Sequence, residues 1–300
     1  MKKVIGVFEL ALTAFIWGVA FVAQSVGMDY IGPFTFNCAR FFIGGIVLIP
    51  LIFFLNRGKK NEVKNEQSRE QKKNTIIGGI LCGILLCAAS SFQQFGIMQT
   101  SVGKAGFITA LYIIIVPLLG IFLHKRITLL MGISALIAVF GFYLLCISGQ
   151  IEINRGDLLV LICAFIFSLH ILVIDIYSPK GDCVTISCIQ FFVSGIISGI
   201  CMFLFETPVW ADIFAAYIPV LYAGIFSCGV AYTLQIVGQK NMEPAVASLI
   251  LCLESVFSAI AGWLILKQAL SRRELIGCIF VFTAVILAQL PQKEKKMNKN

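Results

Sequence analysis

Apolar residues along this chain gather into ten runs, near positions 4–24, 33–55, 76–98, 104–123, 129–147, 157–177, 184–205, 213–237, 244–266 and 273–290. Each approaches the roughly 20 residues that a helix needs to cross the hydrocarbon of a bilayer. Polarity does not alternate from residue to residue within them, so they are not barrel strands. The pattern predicts an all-α polytopic membrane protein with ten transmembrane helices, the lipid bilayer being its first partner.

The pattern also repeats. Ala14-Phe15-Ile16-Trp17 matches Ala164-Phe165-Ile166-Phe167 at an offset of 150. From Gln93 to Lys125 an ungapped offset of 142 pairs Gln93 with Gln235, Gly96 with Gly238, Leu111 with Leu253 and Gly120 with Gly262. The expected organisation is a first five-span repeat over 1–148, a second over 149–292 and a basic tail over 293–300. Basic residues set the orientation, because cytoplasmic flanks retain Lys and Arg. Lys2, Lys3, the seven in 57–73, Lys125, Arg126, Lys180, Lys240 and the tail share one side; Lys104, Arg155, Lys267, Arg272 and Arg273 fall on the other. Both termini are therefore expected in the cytoplasm, with the cluster before the last span as the exception. Five spans per repeat make the second repeat enter from the opposite face, so the repeats are expected to be inverted, the arrangement that alternating access uses. The first span is too long for the apolar core of a signal peptide and is expected to be retained.

Composition agrees: 59% hydrophobic, 13% charged and a mean hydropathy of +0.95 leave no soluble domain. The net charge of +8 follows from the loop bias and does not point to nucleic acid. Of the eleven cysteines, ten lie in apolar runs, Cys183 sits at a span edge and no CxxC occurs, so they read as small packing residues. Gly79/Gly83 and Gly195/Gly199 have the spacing that lets helices approach closely.

Polar groups inside the runs carry the functional information, because lipid penalises them. Glu254 lies ten residues past Pro244 and twelve before Leu266, about 15 Å from either end of its helix. A charge there costs at least about 2.5–3.5 kcal/mol, so Glu254 should be protonated, paired or facing a wet cavity. Its counterpart at the offset of 142 is Tyr112. Arg40 lies seven residues beyond Pro33, where it could reach a headgroup, pair with Glu254 or face the same cavity. Helical spacing puts Glu9, Thr13, Trp17 and Gln24 on one face, Gln93 and Gln94 beside Ser90, Thr109 beside Tyr112, Phe167 with His170, and Tyr232 with Gln235. Trp17, Arg40, Gln93, Tyr112, His170, Tyr232, Gln235 and Glu254 are the candidate cavity residues; their rings and amides suit small amphipathic or zwitterionic solutes. Pro117 and Pro219 could bend the fourth and eighth spans.

No HExxH or GxSxG occurs, and Gly103-Lys104 lacks the rest of a phosphate loop. No enzyme, metal or cofactor is expected. Over nearly the whole chain, Phe15-Ile16-Trp17-Gly18, Ala39-Arg40-Phe41, Gln94-Phe95-Gly96, Thr100 through Phe107, Ala231 through Gln235 and Leu253-Glu254-Ser255 resemble the drug/metabolite transporter superfamily, and within it the EamA-type permeases. The resemblance implies ten helices in two inverted repeats around a central cavity, with both termini inside, and transport of amino acids, metabolites or toxic compounds. The chain departs from the family at Ser255, where Pro is usual, and at Lys267-Gln268, where Gly-Glu is usual. The expectation is a secondary transporter of the cell membrane that exports small metabolites, amino-acid-like compounds or drugs, with protons or an exchanged solute as coupling partner and Glu254 and His170 as protonation sites. The alternative is a membrane binding or sensory protein on the same fold.

Overall fold

Each apolar run folds as helix, because a helix satisfies its own backbone hydrogen bonds where no water is present. The computed structural model describes residues 2–57, 66–100, 102–123, 128–146, 154–240, 242–267 and 271–289, and among these there is helix and no strand. Residues 58–65, Lys125, Arg126 and the tail 293–300, all used in the orientation argument, lie outside the described residues. The elements are α1 (Lys2–Gly27), α2 (Pro33–Arg57), α3 (Glu66–Ile97), α4 (Val102–Ala110), α5 (Tyr112–Phe122), α6 (Leu129–Cys146), α7 (Arg155–Tyr177) and α8 (Cys183–Phe205), followed by α9 (Trp210–Ala215), α10 (Tyr217–Leu221), a π-helical segment (Tyr222–Tyr232), α11 (Thr233–Gln239), α12 (Pro244–Leu251), α13 (Leu253–Leu266) and α14 (Arg272–Gln289).

Among the described residues, eight helical stretches are long and apolar enough to cross a membrane. The fifth and tenth expected spans correspond to shorter apolar stretches, Leu129–Gly141 in α6 and Leu275–Leu287 in α14. Large apolar side chains such as Phe54, Phe122, Phe203 and Ile279 face outward, whereas Asn37, Arg40, Gln94, His170 and Glu254 are buried. That is the distribution expected where lipid is the solvent.

Three expected spans are not continuous α-helix. The fourth breaks at Leu111 and the ninth at Cys252; the eighth passes from α10 through the π-helical segment into α11. Pro117 stays inside α5, six residues beyond the break, and Pro219 lies in α10, just before the π-helical turns. At the ninth span, hydroxyl and thiol groups take the place of proline. Ser248, Cys252, Ser255 and Ser258 each bond the carbonyl three residues earlier, at 2.9, 2.8, 2.7 and 2.9 Å. Back-bonding of this kind competes with the helical ladder and bends it. Ser255 sits in the first turn of α13, where its N–H donates to the Cys252 carbonyl at 3.2 Å, a bond that proline would remove. Ser255→Pro is therefore expected to lower stability by about 1 kcal/mol, the worth of one hydrogen bond, against about 3 kcal/mol for proline in a helix interior. Thermal melting in detergent would check this, and a large loss would mean the break does not work as described.

Packing joins the two halves throughout. α6 lies on α14, α2 on α8 and the π-helical segment, α3 on α7 and α8, and α1 on α13, α12, α11 and the π-helical segment. Glycines set the tightest crossings. A Cβ on Gly96 or Gly156 would lie 3.0 or 2.9 Å from the other's carbonyl oxygen, and one on Gly6 or Gly238 would lie 2.9 or 3.1 Å from its partner's. Gly79 and Gly83 are also tight, with 2.6 Å to Cβ of Ile189 and Val193, whereas Gly195 and Gly199 leave 3.3 Å.

Carboxylates fasten helix ends. Glu206, just past α8, accepts from the backbone N–H groups of Phe34 and Thr35 at 2.8 Å each and from the Thr35 hydroxyl at 2.6 Å. These are orphan donors at the start of α2. Asp157 closes a capping box with Asn154 at the start of α7 and also takes Lys104 Nζ at 2.6 Å and Thr100 Oγ1 at 2.7 Å from the α3–α4 corner. The Thr100-to-Lys104 sequence thus holds α4 against α7 rather than a phosphate. Among the out-of-place basic residues, Arg273 stacks its guanidinium 5.2 Å from the Tyr143 ring. Lys267 ends α13 in the left-handed region at φ 56°, a conformation that costs a non-glycine residue about 1–2 kcal/mol. Lys267→Gly is expected to raise stability by about 1 kcal/mol once the extra freedom of an unfolded glycine is deducted. An unchanged or lower melting temperature would contradict this.

Candidate functional site

The interrupted helices meet at one cavity. Its lining comprises Trp17, Phe21 and Gln24 of α1, Arg40 of α2, Gln93 of α3, Thr109 and Tyr112 at the α4–α5 break, Phe167 and Ile171 of α7, Ser227 and Tyr232 of the π-helical segment, Gln235 of α11, and Leu251 and Glu254 at the α12–α13 break. Seven of the eight candidate residues are thus brought together. His170 is fully buried but does not line the cavity. It packs edge-on to Tyr232 at 6.1 Å, behind that ring, and its Nε2 is 3.1 Å from Gln190 Oε1.

Positions related by the two sequence offsets share the cavity lining. The offset of 150 relates Trp17 to Phe167 and Phe21 to Ile171; the offset of 142 relates Gln93 to Gln235, Thr109 to Leu251 and Tyr112 to Glu254; every one of these residues is in the lining. The last pair is bonded directly, with the Tyr112 hydroxyl donating to Glu254 Oε1 at 3.0 Å. Both residues sit just after a helix break, where a side chain can project into the bundle without a continuous ladder behind it.

Arg40 is drawn inward. It is 2% exposed, so it does not reach a headgroup. Nη1 donates to Gln24 Oε1 at 3.0 Å, and the guanidinium lies 4.8 Å from the Phe41 ring centre and 5.6 Å from that of Phe36. The expected pairing with Glu254 does not occur. Among the described residues Nε and Nη2 of Arg40 have no hydrogen-bond partner. Trp17 and Tyr232 stack with ring centres 4.6 Å apart, Trp17 Nε1 donates to the Ser227 carbonyl at 3.4 Å, and Gln93 Nε2 donates to Thr109 Oγ1 at 3.3 Å. Gln235 leaves its Oε1 unpartnered. The cavity is narrow: about 30 Å³ is open to water-sized molecules, room for about two waters.

Most of the polar lining was legible in the sequence, Ser227 excepted; Phe21, Ile171 and Leu251 were not, since an apolar residue facing a cavity and one facing lipid have the same hydropathy. Asp157 and Glu206 were also missed. The Asn154-x-x-Asp157 capping pattern was the available signal for the first.

The all-helical membrane fold and its polar centre define a multi-pass transporter class, and comparison with known proteins gives the family. The sequence profile of the EamA-like transporter family matches residues 4–147 and again 154–290. The chain belongs to that family, and so to the drug/metabolite transporter superfamily. An uncharacterized transporter of Archaeoglobus fulgidus is 28% identical over 291 residues, covering 97% of this chain and 87% of that protein. The uncharacterized transporter YoaV of Bacillus subtilis is 23% identical over 305 residues, covering 99% and 100%. A solved crystal structure at 19% identity superimposes with a TM-score of 0.74 over 93% of this chain and 95% of the other, a likeness of fold.

Proposed function

We propose that the chain is a secondary-active transporter of the cell membrane that exports small metabolites, amino-acid-like compounds or drugs by alternating access, through the cavity around Tyr112 and Glu254. In this reading α6 and α14 also cross the bilayer. The two halves, divided near 148, are inverted five-helix repeats, and both termini are cytoplasmic. The observation that carries the proposal is the narrow cavity lined by five pairs of residues related by the sequence offsets, with the members of one pair, Tyr112 and Glu254, hydrogen-bonded to each other. The two successive family matches support the repeat. So do the contacts, because α4 and α5 meet α7 as α12 and α13 meet α1. In inverted-repeat transporters the substrate site lies at such an interface, and rocking one bundle against the other exposes it to each side in turn.

The test is uptake by purified protein in liposomes of labelled amino acids, nucleosides and cationic dyes, with and without a proton gradient. Saturable uptake of one class is expected. If protein shown to be folded takes up nothing from any class, the chain is better described as a membrane binding protein.

A further inference from the structure

We infer that the substrate carries a carboxylate, and that the free edge of Arg40 is its seat; the inference rests on the transport reading of the cavity. A guanidinium offers five N–H bonds in a rigid plane. In Arg40 one end is already used, Nη1 being held by Gln24 at 3.0 Å. The groups left over are Nε and Nη2, buried and unpartnered. These two share one edge of the plane, and their N–H bonds run parallel, the spacing that a carboxylate accepts with both oxygens. The guanidinium carbon lies 5.6 and 4.8 Å from the ring centres of Phe36 and Phe41, so Gln24 and the two rings confine the group before any ligand arrives.

Electrostatics favour the same class. Among the described residues no carboxylate lies within ion-pairing distance of Arg40. A buried cation without a counter-ion is costly unless one arrives. The acidic group in the lining is Glu254, which is bonded to Tyr112 instead. A ligand with a carboxylate at Arg40 would supply the counter-ion that Arg40 lacks, and an ammonium on the same ligand would find Glu254 and the Trp17–Tyr232 rings in the same lining. A phosphate dianion would bring two negative charges to a single guanidinium.

The experiment uses full-length protein in nanodiscs with paired probes: tryptophan against tryptamine, benzoate against benzamide, and phenyl phosphate. Thermal stabilisation is read for the wild type, Arg40→Gln, Arg40→Lys and Gln24→Glu. Tryptophan and benzoate are expected to stabilise the wild type, and their uncharged or decarboxylated partners are not. Arg40→Gln should weaken carboxylate binding about 30-fold or more, and Arg40→Lys less, since the charge survives without the fork. Gln24→Glu leaves Arg40 in place and puts a carboxylate of the protein's own against Nη1. It should weaken tryptophan and benzoate as well, which keeps the test decisive if Arg40→Gln fails to fold. Equal effects of acid and amide, preference for phenyl phosphate, no response to any carboxylate, or unchanged binding in Gln24→Glu would each overturn the inference. Arg40-independent uptake of a cationic dye by liposomes would overturn it while leaving the transport reading intact. Arg40-dependent binding with no uptake would do the reverse.

Discussion

Glu254→Gln is expected to fold as the wild type does and to lose transport, by about 30-fold or more in initial uptake rate. Glutamine keeps the shape of the side chain and an oxygen that can accept from Tyr112, whose hydroxyl now donates to Glu254 Oε1 at 3.0 Å. What it removes is the ionisable carboxyl group, the acid in the cavity that Arg40 also lines. Glu254→Ala is a different experiment. It strands the buried Tyr112 hydroxyl without an acceptor, which costs about 1–3 kcal/mol, so its loss of transport would be mixed with loss of fold. Tyr112→Phe leaves Glu254 in place and removes one hydrogen bond, so its effect on uptake should be smaller than that of Glu254→Gln. If Glu254→Gln takes up substrate as fast as the wild type, the carboxyl group is structural and the cavity works by another route.

The largest effect on folding is expected at Gly18. A Cβ there would stand 2.4 Å from Phe257 Cβ and 2.8 Å from the Ser258 backbone nitrogen, so α1 and α13 could not keep their present crossing. Part of the obstacle is backbone, and no side-chain rotation relieves it. Gly18→Val should cost about 3 kcal/mol, the upper part of the range for overpacked sites, and should displace Trp17, one residue away, from the cavity. A lower melting temperature and lost uptake are the expected results. Gly132 is the control. No atom lies within 4 Å of its added Cβ, so Gly132→Ala should leave stability unchanged or raise it by up to about 1 kcal/mol, the helix propensity difference between the two residues. Equal melting temperatures for Gly18→Val and the wild type would mean that the α1–α13 crossing is looser than the geometry indicates.

Most of the fold was legible because lipid imposes a simple rule on sequence: long apolar runs, with any polar residue inside them requiring a reason. Glu254, Gln93 and Gln235 stood out by that rule, and all three line the cavity. The rule cannot say where a run bends. The breaks at Leu111 and Cys252 carry neither proline nor glycine, and at Cys252 the cause is a series of short side-chain bonds to carbonyls, which hydropathy does not register. It also could not decide Arg40. Position along the helix left it between headgroup, ion pair and cavity; Gln24 and the faces of Phe36 and Phe41 hold it inward. His170 shows the opposite limit. Its position in an apolar run marks it as unusual without placing it, and the structure sets it outside the cavity lining, with Gln190 beside its Nε2.

The unequal pairs in the cavity bear on whether either half of the chain could serve alone. A dimer of two identical first halves would bring two copies of Arg40 into one apolar chamber, with Tyr112 facing Tyr112 and no acid between them. A dimer of two second halves would set Glu254 against Glu254 and supply no guanidinium. Neither symmetric pairing would hold one base and one acid in the same space. In the chain as it stands, Arg40 supplies the base and Glu254 the acid, so under the proposed division near 148 neither half could be exchanged for a copy of the other without losing one of the two.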